Sequence, residues 1–198
     1  MNKSRVEAFT DAIVAIVMTI MALEIKIPTG DNLDSLWHES SYFLAFIISF
    51  IVIASSWYHH HYFFTKAVWI SKRAFWANNL WLLLMAFFPV TTGWVSEHMN
   101  ARTPEYFYFI IYILWASSYY LLNYVIVHDN SQYGSFKMNA SLSKIPHGLL
   151  DILLMIIGLI SIYFVPISGM IVIIIQSVSW AIMTPPDSDR IMKAKAQE

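Results

Sequence analysis

The sequence predicts an all-α, polytopic membrane protein with six transmembrane helices per subunit. Apolar residues make up 58% of the chain and charged residues only 13%, whereas soluble domains average about 45–50% and about 25%. Six apolar stretches each approach the roughly 20 residues that a helix needs to cross the hydrocarbon core of a bilayer. Aromatic residues make up 16% and include eight Trp, which suits a chain with two membrane–water interfaces.

The net charge and the absence of Cys exclude several classes of function. A net charge of −1 over 198 residues provides no basic field for nucleic acid. The chain has no Cys, which excludes disulfides, thiolate metal sites and Cys nucleophiles. We therefore expect no nucleic-acid partner and no cofactor, and we expect the lipid bilayer to surround the chain.

The six predicted spans follow one another with short polar connections. They cover about residues 6–27, 37–57, 75–94, 106–127, 145–165 and 167–183. Pro28 follows the first span, Pro166 divides the fifth from the sixth, and Pro185 stops the sixth, because Pro cannot continue a helix without losing a hydrogen bond. We predict one transmembrane domain over residues 1–184 and a polar cytoplasmic tail over residues 185–198.

Lys and Arg lie almost entirely on one side of the predicted membrane. With the N-terminus inside, only Lys26 and Arg102 of the 12 basic residues fall in outer segments. The positive-inside rule therefore predicts a multi-pass protein with both termini in the cytoplasm.

The first predicted span differs from the others because its inner end carries Arg5, Glu7 and Asp11. Charge within a span is costly, and charged side chains there usually have a partner or face water. Further along, a stripe at positions i, i+3, i+4 and i+7 shares one helix face: Ile16, Thr19, Ile20 and Leu23. A packed helix face would have the same spacing, so the stripe alone is compatible with either a pore lining or a packing surface.

Three motifs in the first half of the chain belong together. Residues 5–11 read Arg-Val-Glu-Ala-Phe-Thr-Asp, residues 57–61 read Trp-Tyr-His-His-His, and Asn78 precedes Pro89 in the third span. They resemble the transmembrane protein 175 family, the potassium channels of endosomes and lysosomes and their prokaryotic relatives. That family has Arg, three residues and Phe-Ser-Asp, so Thr10 stands here for Ser. The second half fits by hydropathy and topology only.

The resemblance implies a potassium-selective leak channel in the cell membrane of a prokaryote. Prokaryotic members carry one six-helix unit and form homotetramers, with the first helix, here about residues 5–27, around a central pore. The family's first constriction corresponds to Ile16, its hydroxyl layer to Thr19 and further apolar rings to Ile20 and Leu23. The chain lacks a Thr-Val-Gly-Tyr-Gly filter, so it would be a tetrameric cation channel without a carbonyl cage. Potassium would occupy the pore transiently, and we expect no resident metal.

The motif residues also predict a polar network near the inner ends of the first three spans, because buried polar groups need partners. We expect the network to hold the first helix at the pore. Its members would be Arg5, Phe9, Thr10, Asp11, Trp57, His60 and Asn78. A purely structural network and a pH sensor acting through His60 are both open.

Other functions remain as alternatives. The channel could instead conduct protons or pass monovalent cations without selectivity. The three consecutive His at 59–61 invite comparison with a membrane-embedded metalloenzyme, although no second His box pairs with them. A transporter would be expected to show inverted repeats, and the sequence has none that we detect. We therefore expect a channel and no enzyme.

Overall fold

The structure is a computed structural model that describes residues 2–131 and 145–183, the second range with side chains from residue 148 to 182. The predicted cytoplasmic tail at 185–198 lies outside these residues. Within them the chain forms helices and turns, which confirms the all-α prediction. The helices are α1 (Lys3–Ala22), α2 (Leu33–His38), α3 (Ser40–Lys66), α4 (Lys72–Met85), α5 (Phe88–Glu97), α6 (Arg102–Asn130), α7 (Ile145–Phe164) and α8 (Ser168–Met183).

Three segments of the described chain are long and apolar enough to cross a membrane. They are Ser40–Lys66, Lys72–Glu97 with α4 and α5 taken together, and Arg102–Asn130. The other three predicted spans are less clear. Helices α7 and α8 contain apolar segments of 17 residues or fewer, and α1 carries four charged residues in its first nine. The protein is thus a multi-pass membrane protein, and the full count of six crossings remains a prediction.

Several helix boundaries differ from those predicted. Helix α1 ends at Ala22 rather than near residue 27, and α3 continues past Trp57 to Lys66, so the His triplet lies inside a helix. The third span is divided into α4 and α5, with Pro89 in the first turn of α5. Pro has no backbone N–H and its ring crowds the preceding turn, which explains why the chain restarts a helix there.

Aromatic side chains fill the centre of the bundle, where α6 packs against α4 and α5. The indoles of Trp81 and Trp115 stack with centroids 6.0 Å apart, and Phe88 meets Trp115 edge-on at 5.1 Å. Trp81, Phe88 and Trp115 are all buried. Such rings remove large apolar areas from contact with the surroundings and add specific pair geometry, so they stabilise the packing of α6 against α4 and α5.

Contacts between helix ends define the directions of the helices. Lys3 Nζ at the start of α1 donates to Thr65 O and Ala67 O at the end of α3, at 3.2 and 3.0 Å. At the opposite end, Lys26 Nζ lies 2.9 Å from Glu97 Oε1, beyond α1 and at the end of α5. Helix α1 therefore runs antiparallel to α3 and parallel to α4 and α5.

Candidate functional site

The first helix has one buried face and one exposed face. Val6, Val14, Val17 and Met21 pack into the core of the bundle and follow one another at spacings of three, four or eight residues, so they share a face. The core contact is made with α3, α4 and α5. This packing fixes the rotation of α1 and determines which side chains it presents outward.

The outward face carries all four predicted pore residues: Ile16, Thr19, Ile20 and Leu23. The exposed fraction is 55% for Ile16, 43% for Ile20 and 81% for Leu23. Leu23 is the C-cap residue of α1 rather than part of its last turn. Because no element of the described chain covers these residues, one subunit leaves an apolar stripe with a single hydroxyl layer open to its surroundings.

The hydroxyl of Thr19 is bonded to its own helix. Thr19 Oγ1 lies 3.0 Å from Ala15 O and 2.9 Å from Ile16 O. A hydroxyl has one hydrogen and two acceptor lone pairs, so donating to either carbonyl leaves the oxygen able only to accept. On the exposed face Thr19 thus presents oxygen lone pairs.

Hydrogen bonds join α1 to α3 and α4 through most of the predicted network. Trp57 Nε1 donates to Asp11 Oδ1 at 2.8 Å. Asn78 Nδ2 donates to Thr10 Oγ1 at 2.8 Å, while Asn78 Oδ1 lies 2.9 Å from His60 Nε2. Since the amide oxygen can only accept, His60 carries its hydrogen on Nε2. Thr10 therefore ties the buried side of α1 to α4, and the exposed Asp11 ties α1 to α3.

The structure does not bring every predicted network residue together. Thr10, His60 and Asn78 are buried, and the His60 ring stacks on Trp81 with centroids 5.0 Å apart and 7° between planes. Arg5 and Phe9 instead point away from the bundle. Within the described residues, neither side chain forms a hydrogen bond or an ion pair, so both are surface groups of the single subunit.

The three consecutive His side chains point to different neighbours. His59 Nδ1 lies 3.2 Å from Tyr119 Oη, His60 faces Asn78, and His61 stacks on Trp57 at 6.2 Å. Consecutive residues on a helix project about 100° apart, which accounts for this divergence. No group of three potential metal ligands occurs among the described residues.

Two polar clusters were not predicted from the sequence. Ser49 Oγ lies 2.8 Å from Thr92 Oγ1 and 2.9 Å from Tyr108 Oη, and this cluster joins α3, α5 and α6. The Asp151 carboxylate accepts from Tyr120 and Trp180. In the sequence, each of these is a polar residue inside an apolar run. Such a residue is expected to need a hydrogen-bond partner, but the sequence does not indicate which residue that partner is.

Taken together, the helical bundle and its apolar segments define a multi-pass membrane protein. The family model for the endosomal/lysosomal potassium channel TMEM175 matches residues 5–89. A protein named as a potassium channel in Chryseobacterium sp. (strain P1-3) is 31% identical over 166 residues, which cover 84% of this chain and 85% of that one. The chain belongs to the TMEM175 family of potassium channels, a family of channels and not of enzymes.

Other relatives support the same family assignment. Proteins named as potassium channels in Streptomyces collinus and Chamaesiphon minutus are 32% identical over 119 residues and 34% identical over 121 residues. The matches cover 58% and 55% of this chain, and 58% of each relative. The crystal structure of a lysosomal potassium-selective channel TMEM175 homologue from Chamaesiphon minutus aligns over 92% of this chain and 98% of its own, with a TM-score of 0.75 and 23% identity. At that identity the match supports the fold.

Proposed function

We propose that the protein is a potassium-selective leak channel whose pore is lined by the exposed face of α1 in a homotetramer. The observation that carries this proposal is the exposure of Ile16, Thr19, Ile20 and Leu23 on a helix whose opposite face is buried in its own subunit. The names of the bacterial relatives as potassium channels agree with it.

A pore built on α1 requires several copies of the chain. One helix face cannot enclose a path, and closed cyclic symmetry lets identical surfaces meet without open edges. Four copies would place four Ile16 side chains at one level, four Thr19 at the next, and Ile20 and Leu23 beyond. The choice of four follows the resemblance to prokaryotic members of the family.

The Ile16 ring would form the constriction. An ion that passes a narrow apolar ring must give up part of its hydration shell, and dehydration is the barrier. Potassium is larger than sodium and holds its shell less tightly, so the ring favours potassium without coordinating it. Hydrophobic constrictions of this kind can also close a pore by dewetting.

The Thr19 layer would lower that barrier. Its hydroxyl hydrogen is directed to Ala15 O or Ile16 O, at 3.0 and 2.9 Å. The oxygen is left as an acceptor, the role that water oxygen has in a cation's hydration shell. Four such oxygens next to the Ile16 ring would replace part of the lost water.

The proposed orientation places both termini in the cytoplasm of a prokaryotic cell, in its plasma membrane. Lys3 bonds to the end of α3, beside Lys66, Lys72 and Arg73. The N-terminus and the basic connection between α3 and α4 therefore share one end of the bundle, as the positive-inside rule requires. At the other end, Lys26 is paired with Glu97.

The central test is recording from the purified full chain in a planar bilayer with potassium and sodium on opposite sides. The proposal expects a reversal potential displaced toward that of potassium. A reversal potential near zero would establish the non-selective alternative. A reversal potential that follows a pH gradient would establish proton conduction.

Assembly has a separate test. The detergent-corrected mass should be about four times 22.9 kDa. Because the chain has no Cys, Ile16→Cys introduces a single thiol, which an oxidant should cross-link between subunits. Ile160→Cys, on the exposed side of α7, is the control and should stay uncross-linked. A monomeric mass together with full ion flux would disprove the arrangement.

A further inference from the structure

A cavity lies between α3, α6, α7 and α8, away from α1. Its volume is about 50 Å³, and its walls include Ser55, Tyr112, Trp115, Asp151, Gln176 and Trp180. One ordered water needs about 10–15 Å³ of space accessible to its centre. The cavity therefore has room for about three waters, or for a small ion with some water.

Asp151 places a carboxylate in the wall of this cavity. Its side chain is buried. Tyr120 Oη and Trp180 Nε1 donate to Asp151 Oδ2 at 2.5 and 3.0 Å, and Gln176 Nε2 lies 3.4 Å from Asp151 Oδ1. All three partners donate to the carboxylate oxygens.

No cation accompanies that carboxylate among the side chains that the structure describes. The ion pairs there involve Glu7, Glu97, Asp34 and Asp129, and none involves Asp151. A buried charge is costly unless it is paired. The donors around Asp151 are neutral, so a negative charge there would need a cation to balance it.

Two further polar atoms of the cavity residues lack hydrogen-bond partners within the described structure. They are Gln176 Oε1 and Trp115 Nε1, and both side chains are at least nine-tenths buried. The amide oxygen can accept from water or face a cation, whereas the indole N–H can only donate. A cation with one or more bound waters satisfies both atoms, because the water oxygen accepts from the indole.

The aromatic walls favour the same kind of ligand. The rings of Tyr112, Trp115 and Tyr119 line the cavity, and aromatic faces attract cations through their electron-rich surfaces. The cavity residues thus combine a carboxylate, an amide oxygen and aromatic rings, which are groups that can hold a small monovalent cation.

We propose that the cavity around Asp151 and Gln176 binds a partly hydrated monovalent cation, at a site separate from the pore. Asp151 supplies the counter-charge, Gln176 Oε1 a neutral oxygen, and Trp115 anchors a water of the ion. The ion stabilises the packing of α7 and α8 against α3 and α6. The inference does not rest on the proposed pore.

The first test measures the melting temperature of the full chain in detergent as N-methyl-D-glucamine is exchanged for rubidium at constant ionic strength. An ion bound to the folded state should raise Tm of the wild type by about 5 °C. Asp151→Asn and Gln176→Leu should lose most of this rise. Ser117→Ala is the matched control, since Ser117 lies on α6 outside the cavity and bonds only to Ile113 O, and it should keep the full rise.

Pore binding is separated from cavity binding by Thr19→Val. If the rise disappears in Thr19→Val but persists in Asp151→Asn, the ion acts in the pore and the cavity proposal is overturned. His147 lies four residues before Asp151, outside the described side chains, so His147→Ala is measured as well. A rise that occurs only in that variant would make His147 the partner of the carboxylate and would also overturn the proposal.

The second test needs no variant and so does not depend on whether Asp151→Asn folds. Crystals of the wild-type protein grown in rubidium should give an anomalous scattering peak between Asp151 and Gln176. Water density alone in the cavity, with no anomalous peak, would refute the site.

Discussion

Asn78 Nδ2 lies 2.8 Å from Thr10 Oγ1, and this hydrogen bond connects the buried face of α1 to α4. The same amide accepts from His60, so one Asn side chain links three helices. Thr10 Oγ1 in turn lies 2.9 Å from Val6 O and donates its hydrogen there. These hydrogen bonds therefore add to the packing that fixes the rotation of α1, and with it the direction of its exposed stripe.

Asn78→Ala should destabilise the protein, because it leaves buried hydrogen-bonding groups on His60 and Thr10 without their partner. We expect a loss of about 1–3 kcal/mol and a fall in Tm of about 2–4 °C for each kcal/mol. The neighbouring Asn79→Ala removes only a bond to Phe75 O on its own helix and is the matched control. Equal melting temperatures for the two variants would contradict the bridging role of Asn78.

Ile16→Asn should weaken selectivity by wetting the proposed constriction. The polar side chain lets an ion keep more of its hydration, so potassium loses its advantage over sodium. Bi-ionic recordings should show a reversal potential closer to zero than in the wild type. Ile160→Asn, at an exposed position of α7, should leave the reversal potential in place. If Ile16→Asn also leaves it in place, Ile16 does not form the constriction.

Thr19→Val tests the hydroxyl layer with little change in side-chain shape. Removing one ion-facing oxygen from each subunit should lower the potassium-to-sodium permeability ratio about fivefold, the equivalent of about 1 kcal/mol. Thr19→Ser keeps the hydroxyl and should keep the ratio near that of the wild type. A Val variant with the wild-type ratio would show that the hydroxyl has no part in selectivity.

Gly158→Ala should destabilise the contact between α7 and α6. A Cβ added at Gly158 would overlap the ring of Phe109, which is fully buried. Overpacking of this kind costs about 1–3 kcal/mol. A methyl group at Gly148, on the same helix, would meet no atom within 4 Å.

Gly148→Ala is therefore the control for the Gly158 variant. Ala is favoured over Gly in a helix by about 1 kcal/mol, so this substitution should leave Tm unchanged or raise it slightly. Thermal denaturation of both variants in the same detergent should give a lower Tm for Gly158→Ala than for Gly148→Ala. A Gly158→Ala protein as stable as the Gly148→Ala protein would show that α7 does not pack closely on α6 at this position.

The sequence predicted the helical class because long apolar runs leave a membrane chain few other structures. It also predicted the stripe at Ile16 and Thr19, because helical periodicity assigns residues to a face. It did not predict that α1 ends at Ala22, because Leu23 to Ile27 are still mostly apolar. Pro89 was present in the predicted third span, but the sequence did not show that the helix would restart there.

Interhelical partners were the hardest feature to predict. From the sequence, Asp151 is an isolated acidic residue in an apolar run, with no partner indicated. In the structure it accepts from Tyr120 on α6 and Trp180 on α8. Such pairs join residues far apart in sequence, so neither spacing nor hydropathy identifies them. The motif residues were more predictable, because the family resemblance had already linked Thr10, His60 and Asn78.

The orientation of the Thr19 hydroxyl has a consequence for the sign of the charge that crosses. With its hydrogen directed to Ala15 O or Ile16 O, Thr19 offers no donor to an anion. In a ring of four, the negative ends of the hydroxyl dipoles would face the axis, and chloride would lose hydration there without compensation. The layer next to the narrowest point would therefore exclude anions by the sign of their charge before it discriminates among cations by size.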